Sequence, residues 1–465
     1  MKILVIGGSP KGKESVTVQY ARYIEKKFPD CEFAWIYPAQ KIRGLEQYET
    51  KWNEAADLMR NAEAILWAFP LYYFLVHAGL KRFIELLFER GGNRMLSGKY
   101  CASLSTSIHF FDNTAHDYIR SVSEDLGMRF VQAHSPKMDD LFSAGGRTQT
   151  ERFFRTFLQA VDGQRVIPRS SRPLNFDREE ALFAQAPEKI ATGKSVLILT
   201  DLPSANKLSP DEKNLDAMTQ RIASSIDGNV ERLSILDMGI SGNCMGCLRC
   251  GDKNICTYEG KDGFAGLYKE KLGKSDVIIF CGTIKDRYLS AAWKRFFDRS
   301  FFNTHQPSLT KKHFGFVISG PLSQTETLRQ VLQGYTELQD SQLCGMVSDE
   351  KAVGTTLADR LDGLTAQIIG QANEEYFAPQ TFFGVGGMKV FRDDIFANLK
   401  MVFRADHRAY KKLGIYDYIQ SKPLKRLGFS IAHLLTGIPF IKKQLYAHMI
   451  DGMIAPYKKI IKRAG

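Results

Sequence analysis

Two series of short apolar runs, each interleaved with helical stretches, constrain this chain more than any other feature. The first series reads as strands at 3–6, 32–37, 64–69, 100–106 and 129–133, with helices at 20–27, 79–90, 113–126 and 148–161. After a break the pattern restarts. Strands are expected at 195–200, 230–236, 277–281, 314–319 and 342–347, with helices at 210–226 and 355–372. A short, almost wholly apolar run is what a parallel strand buried on both faces requires. Five such strands alternating with helices form an open parallel sheet wrapped on both sides, with its ligand site beyond the C-terminal strand ends. The two series also match in residues: Leu80-Lys81-Arg82-Phe83 answers Trp293-Lys294-Arg295-Phe296. The expected architecture is α/β: two tandem doubly wound parallel five-stranded sheets, over 1–163 and 194–375. A linker at 164–193 carries Pro168 and Pro173 and one short helix near 178–185. A basic helical region follows over 376–465.

At 465 residues the chain is too long for one ordinary core. Its 44% hydrophobic and 25% charged residues are those of a soluble globular protein and exclude disordered, collagenous and fibrous classes. The net charge of +12 favours anionic partners: nucleotides, acidic proteins or an anionic membrane surface. No secretory leader precedes the first strand, so a cytoplasmic, reducing location is expected, in which disulfides do not persist.

The loops carry the chemistry. Gly7-Gly8-Ser9-Pro10-Lys11-Gly12-Lys13-Glu14-Ser15-Val16-Thr17 joins a buried strand to a helix. Backbone N–H groups and hydroxyls in that setting hold an anion at the helix N-terminus. The loop is neither G-x-G-x-x-G nor a Walker loop. Phe69-Pro70-Leu71-Tyr72-Tyr73 follows the third strand and offers flat aromatic side chains. Ser105-Thr106-Ser107 ends the fourth. The second series departs from this pattern: Thr200-Asp201-Leu202-Pro203 lacks a glycine pair and carries an acid where an anion would sit. Between its second and third strands lies Cys244-Met245-Gly246-Cys247-Leu248-Arg249-Cys250, closed by Cys256. Such a set suits a [4Fe-4S] cluster, a cluster-free group of redox or structural thiols, or zinc. Cys31, Cys101, Cys281 and Cys344 read as small buried hydrophobes. His109, Asp112 and His116 match no known site, and Phe382 to Met388 reads as a glycine-rich turn. Residues 427–441 are apolar but short for a membrane span. Lysines and an arginine flank them. A helix packed on the sheets is expected there, with an interfacial helix as the alternative.

The three loops of the first series, in this order, resemble those of the flavodoxin-like NAD(P)H-dependent FMN reductases. The "P-x-Y … LK-x-F" segment of that family corresponds to Pro70-Leu71-Tyr72 and Leu80-Lys81-Arg82-Phe83. The resemblance implies FMN in the first repeat, with Ser9, Lys11, Ser15 and Thr17 around its phosphate. Pro70, Leu71, Tyr72 and Tyr73 would lie along one side of the ring, and Ser105, Thr106 and Ser107 along another. The cysteine segment resembles the compact C-x-x-C-x-x-C…C loop of the iron-sulfur flavoproteins, which would make Cys244, Cys247, Cys250 and Cys256 cluster ligands. Related reductases carry a similar loop without an assured cluster, and Gly246 and Asp262 fit that broader pattern. The implied function is an NAD(P)H-dependent oxidoreductase serving a small-molecule or protein acceptor. The alternatives are an iron-sulfur electron carrier with little nicotinamide activity and a non-redox module with structural zinc. No catalytic acid or base is assigned, because the flavin supplies the chemistry. No nucleic acid is expected as a partner; a membrane contact through the C-terminal region and an oligomer are left open.

Overall fold

A computed structural model describes residues 1–204, 208–418, 423–445, 447–448, 454–455 and 462. The first sheet holds β1 (Lys2–Gly7), β2 (Glu32–Ile36), β3 (Ala64–Pro70), β4 (Tyr100–Thr106) and β5 (Arg129–His134). Their order is β2-β1-β3-β4-β5, every neighbour parallel. Six helices of ten residues or more wrap it: α1 (Val16–Lys27), α2 (Pro38–Gln47), α3 (Glu49–Asn61), α4 (Ala78–Glu89), α5 (Asp112–Asp125) and α6 (Ala144–Asp162). The second sheet holds β6 (Val196–Thr200), β7 (Val230–Ser234), β8 (Val277–Thr283), β9 (His313–Ser319) and β10 (Gln342–Ser348). Read from its second strand, its order is β7-β6-β8-β9-β10, again all parallel. The same strand order in both sheets makes the repeat one of fold as well as residues. Around the second sheet lie α7 (Pro210–Ser225), α8 (Ala291–Ser300), α9 (Glu326–Leu338) and α10 (Leu357–Asn373).

Both sheets belong to one compact unit, Met1–His407, and Arg408–Gly465 forms another. Inside the first unit the halves meet through α4 and α8. Asp298 Oδ2 accepts from the N–H of Ala78, the first residue of α4, at 2.7 Å. Glu85 Oε1 accepts from the N–H of Ala291, the first residue of α8, also at 2.7 Å. Each helix thus supplies the acid that satisfies the first N–H of the other, which has no partner inside its own helix. Lys81 and Lys294 occupy matching positions and pair with Glu85 and Asp298 one turn on. All four side chains are buried. The contact therefore has the logic of a two-fold interface between like subunits, made here within one chain.

Several expectations are corrected. The linker has no helix at 178–185; it is irregular there, with one bridge from Arg178 to Glu350. The segment between β2 and β3 folds into two helices that the periodicity did not mark. The glycine-rich run after Thr381 is helix, not turn: α11 spans Phe382–Asp394. Gly387 sits there because a Cβ would lie 2.3 Å from the Phe110 ring. Beyond α12 (Arg404–Lys412), α13 covers Pro423–Leu435. Leu424, Leu427, Ile431, Leu434 and Leu435 in it are exposed. Among the described residues no helix is long and apolar enough to cross a membrane.

Candidate cofactor site

The first loop turns over Gly8, where a Cβ would come within 2.4 Å of Leu80 Cδ2, so only glycine lets the chain pass this close to α4. Ser9 is buried and its Oγ accepts from the Lys11 N–H at 3.2 Å. Ser15 is the N-cap of α1 but makes no side-chain cap. The first N–H groups of that helix are therefore left for an anion. Thr17 and Thr106 join by their hydroxyls at 2.6 Å, both buried, tying the first loop to the third.

The second loop is held hard. Tyr72 and Leu75 exchange backbone hydrogen bonds of 2.8 and 3.0 Å. Between them Tyr73 and Phe74 take left-handed φ values of 40° and 68°. Such residues cost on the order of 1–3 kcal/mol each and persist only where the surroundings fix them. Much of that fixing comes from the second half. Lys294 Nζ donates to the Tyr72 carbonyl at 3.0 Å, and Tyr73 packs on Phe297 and Tyr335. Phe74 is held by its own half, through Phe110, Phe111 and the Thr114 hydroxyl on its carbonyl. Burial holds the Lys294 ammonium below its ordinary pKa, against the pull of Asp298.

The cysteine loop of the second half reaches this same place. Its ends are pinned by Asp262, which accepts from the Ser241 N–H and from both terminal nitrogens of Arg299. Arg299 also donates to the Gly242 carbonyl at 3.0 Å. Across the halves, His77 Nδ1 accepts from the Gly79 N–H, which leaves Nε2–H to donate to the Cys244 carbonyl at 2.8 Å. Burial pushes the His77 imidazole below its ordinary pKa, which keeps that neutral tautomer. Gly246, at φ 62°, fits against the second loop so closely that a Cβ would stand 2.1 Å from the Tyr72 hydroxyl and 3.2 Å from Lys11 Cε.

The result is one cavity of about 520 Å³ walled by both halves. Ser9, Lys11, Ser15, Pro70, Leu71, Tyr72, Tyr73, Thr106 and Ser107 line it from the first half. Cys244, Cys247, Cys250 and Cys256 line it from the second. Phe301 and Phe302, which follow α8, and Phe391, Leu399, Val402 and Phe403 from the segment after β10 close it with apolar surface. The cysteine loop of the second half thus opens on the first half's loops.

Two of the residues singled out from sequence do not line the cavity. Thr17 is spent on Thr106. Ser105 is turned inward, to His116 Nε2 at 2.8 Å, while His116 Nδ1 takes Ser103. Ser105 also meets Ser135, whose hydroxyl donates to Asp112, and Asp112 faces His109. The His109, Asp112 and His116 set is therefore a brace behind the third loop. Burial pushes the His116 imidazole down to about 4. The residues that sequence reasoning missed are His77, Lys294, Asp298 and Arg299. Their only sequence signal is the paired Lys81/Glu85 and Lys294/Asp298 spacing, one helical turn in each copy.

Burial raises the thiols of Cys244 and Cys250 to about 12, while Cys247 is exposed. Among the described residues no three His, Cys, Asp or Glu side chains converge closely enough to hold a single metal ion.

Among the described residues, the second half's counterpart of the first loop is engaged by the chain's own groups. Asp201 is buried on Ser290 Oγ at 2.5 Å and is pushed up to about 6 by burial. Asp349 accepts from Ser319, Gly320 and Asn214. The linker crosses here, with the Glu179 N–H on the Asp349 carbonyl and the Ala181 N–H on Asn214.

Residues 1–138 match the family model of the NADPH-dependent FMN reductases, which spans the first sheet to the end of β5. Solved structures similar to the chain include an NADH:FMN oxidoreductase, EmoB, in its apo form, with 23% identity, 34% of this chain and 89% of that one covered, and a TM-score of 0.30. Another is FerB, a flavoenzyme NAD(P)H:acceptor oxidoreductase from Paracoccus denitrificans, with 16% identity, coverage of 35% and 97%, and a TM-score of 0.29. A third is an FMN-dependent NADH-azoreductase from Bacillus anthracis in complex with FMN, with 13% identity, coverage of 35% and 98%, and a TM-score of 0.26. No curated protein sequence matches the chain.

Proposed function

We propose that this chain is an FMN-dependent NAD(P)H oxidoreductase in which a flavin site of the first half and a [4Fe-4S] site of the second share one cavity. The family match of residues 1–138 supports the flavin. The single observation that carries the rest is that the loops of both halves line the same space.

The residues present fit FMN. The uncapped start of α1, with Ser9, Ser15 and the Lys11 ammonium near it, suits a phosphate. Thr106 and Ser107 add polar contact, while Pro70, Leu71, Tyr72 and Tyr73 offer a flat apolar wall. Thr17 acts one step back, by fixing Thr106. The four cysteines fit an iron-sulfur centre by donor type and by their place on one short loop. One zinc ion fits less well: bonds of about 2.3 Å in a tetrahedron put sulfurs about 3.8 Å apart, and no such convergence exists among the described residues.

When bound, FMN accepts a hydride from a nicotinamide nucleotide and returns one or two electrons, and an iron-sulfur centre takes electrons singly. The chain's own residues bind, orient and exclude water. Lys294 and Asp298 fix the loop that carries Tyr72 and Tyr73. His77 and Gly246 hold the cysteine loop against it. The phenylalanines beyond Ser300 keep that contact dry.

Protein purified without oxygen should show flavin absorbance, together with iron and sulfide near the stoichiometry of a four-iron centre. Ser9→Asp should weaken FMN binding by placing a charge against the phosphate, and Cys250→Ala should remove the iron. A colourless protein binding zinc would sink the whole reading. Flavin without iron, in protein reconstituted anaerobically, would sink the cluster alone.

A further inference from the structure

The charge of this molecule is not spread over it. Residues 408–465 hold twelve Lys and Arg against two Asp, a net +10 of the chain's +12. The 407 residues before them are close to neutral. Between Asp417 and Asp451 there is no acidic residue at all, while Lys422, Lys425, Arg426, Lys442 and Lys443 fall in that interval.

The same interval carries an apolar stripe. Leu424, Leu427, Ile431, Leu434 and Ile438 recur at spacings of three and four, the period of one helix face. In α13 and the turn after it these side chains face solvent: Leu424 is 85% exposed and Leu434 76%. Phe440, in the helical turns at 439–445, is 71% exposed. Lys442 and Lys443 beside it are exposed as well. Large apolar side chains gathered on one face mark a surface that something covers. Acid-free, lysine-flanked sequence specifies an anionic partner. No helix of the described residues can span a bilayer. A basic amphipathic helix too short to span lies in the interface, its apolar face in the acyl boundary and its lysines among the headgroups.

We propose that residues 423–445 dock this protein on an anionic membrane surface. The flavin cavity is lined by residues no later than Phe403, so docking and electron transfer use different side chains.

Flotation of the full-length, FMN-loaded protein with vesicles tests this. Binding is expected to phosphatidylcholine vesicles containing phosphatidylglycerol, to fall with added salt, and to be weak with phosphatidylcholine alone. Lys442→Gln together with Lys443→Gln should weaken binding about thirtyfold, at about 1 kcal/mol for each basic residue near the surface. Leu434→Ser should lower binding to both kinds of vesicle. Neither variant should change the rate with a soluble acceptor. No flotation, or equal flotation with both lipids, would overturn the proposal. So would vesicle binding indifferent to these substitutions, retention of the chain by duplex DNA instead of vesicles, or a rise in particle mass with protein concentration that the Leu434 variant abolishes. The test needs only bound protein, so it stands apart from whether the cavity holds a cluster.

Discussion

The two halves share strand order, four flanking helices and even the lysine–acid pair at their contact, yet among the described residues their first loops differ: that of the first half lines a cavity, and that of the second is taken up by the chain's own groups. In the first, glycine and hydroxyl residues leave the start of α1 uncapped beside a cavity. In the second, α7 begins with a complete capping box, which satisfies the Ser209 and Glu212 N–H groups, and with Pro210, which has none. Its loop is acidic, and the linker lies over the strand ends. A duplicated fold thus does not need two sites to be useful. The second copy contributes a wall: its cysteine loop, α8 and the aromatic residues after it complete a space that the first copy only begins.

The strongest way to break that division is at the point where the second half grips the first. Lys294→Ala leaves Asp298 buried without its partner and frees the Tyr72 carbonyl. Stability should fall by about 3–5 kcal/mol, measured by urea unfolding. If the folded fraction still binds FMN as tightly as the parent, the second half is not a wall of the flavin site.

The halves should also differ in the sign of their response to pH. In the first, the buried His116 has a folded value near 4, below the ordinary 6.5. The unfolded chain then binds more protons between those values. Stability is present above pH 6.5 and lost as pH falls toward 4. His116 alone contributes about 2 kcal/mol between pH 7 and 5. Chemical denaturation at both pH values should show that loss, and His116→Gln should reduce it. In the second half Asp201 lies near 6, above its ordinary 3.8. Here the folded chain binds more protons, so the contribution is greatest at low pH and declines as pH rises through 6. Asp201→Asn should remove a decline of about 1 kcal/mol between pH 5 and 7. A variant with an unaltered pH profile would mean that the carboxyl is not in fact held in the interior.

Strands were legible because a parallel strand buried on both faces must be apolar throughout: Ile3 to Ile6 and Val277 to Cys281 have no other reading. The first and second cavity-lining loops are legible because each follows such a strand at once. Helices α2 and α3 were missed because their apolar faces are narrow, with Trp52, Ala55, Ala56 and Met59 spread among charged residues. The run after Thr381 resembles a turn in its glycine content, but Gly387 makes room for Phe110. Least legible was the cavity itself. It depends on His77 meeting Cys244 and Lys294 meeting Tyr72, contacts between residues far apart in sequence that no local pattern encodes. Only the offset repeat of a lysine and an acid one turn apart hinted that α4 and α8 face each other.

That helix pair has a consequence for dilution. Two separate subunits joined by such a contact would part as their concentration fell, and a shared site would come apart with them. Here the linker makes the encounter intramolecular, with an effective concentration in the millimolar range for short flexible tethers. The completed cavity is then a property of each molecule rather than of the population, and does not depend on how much of the protein a cell makes.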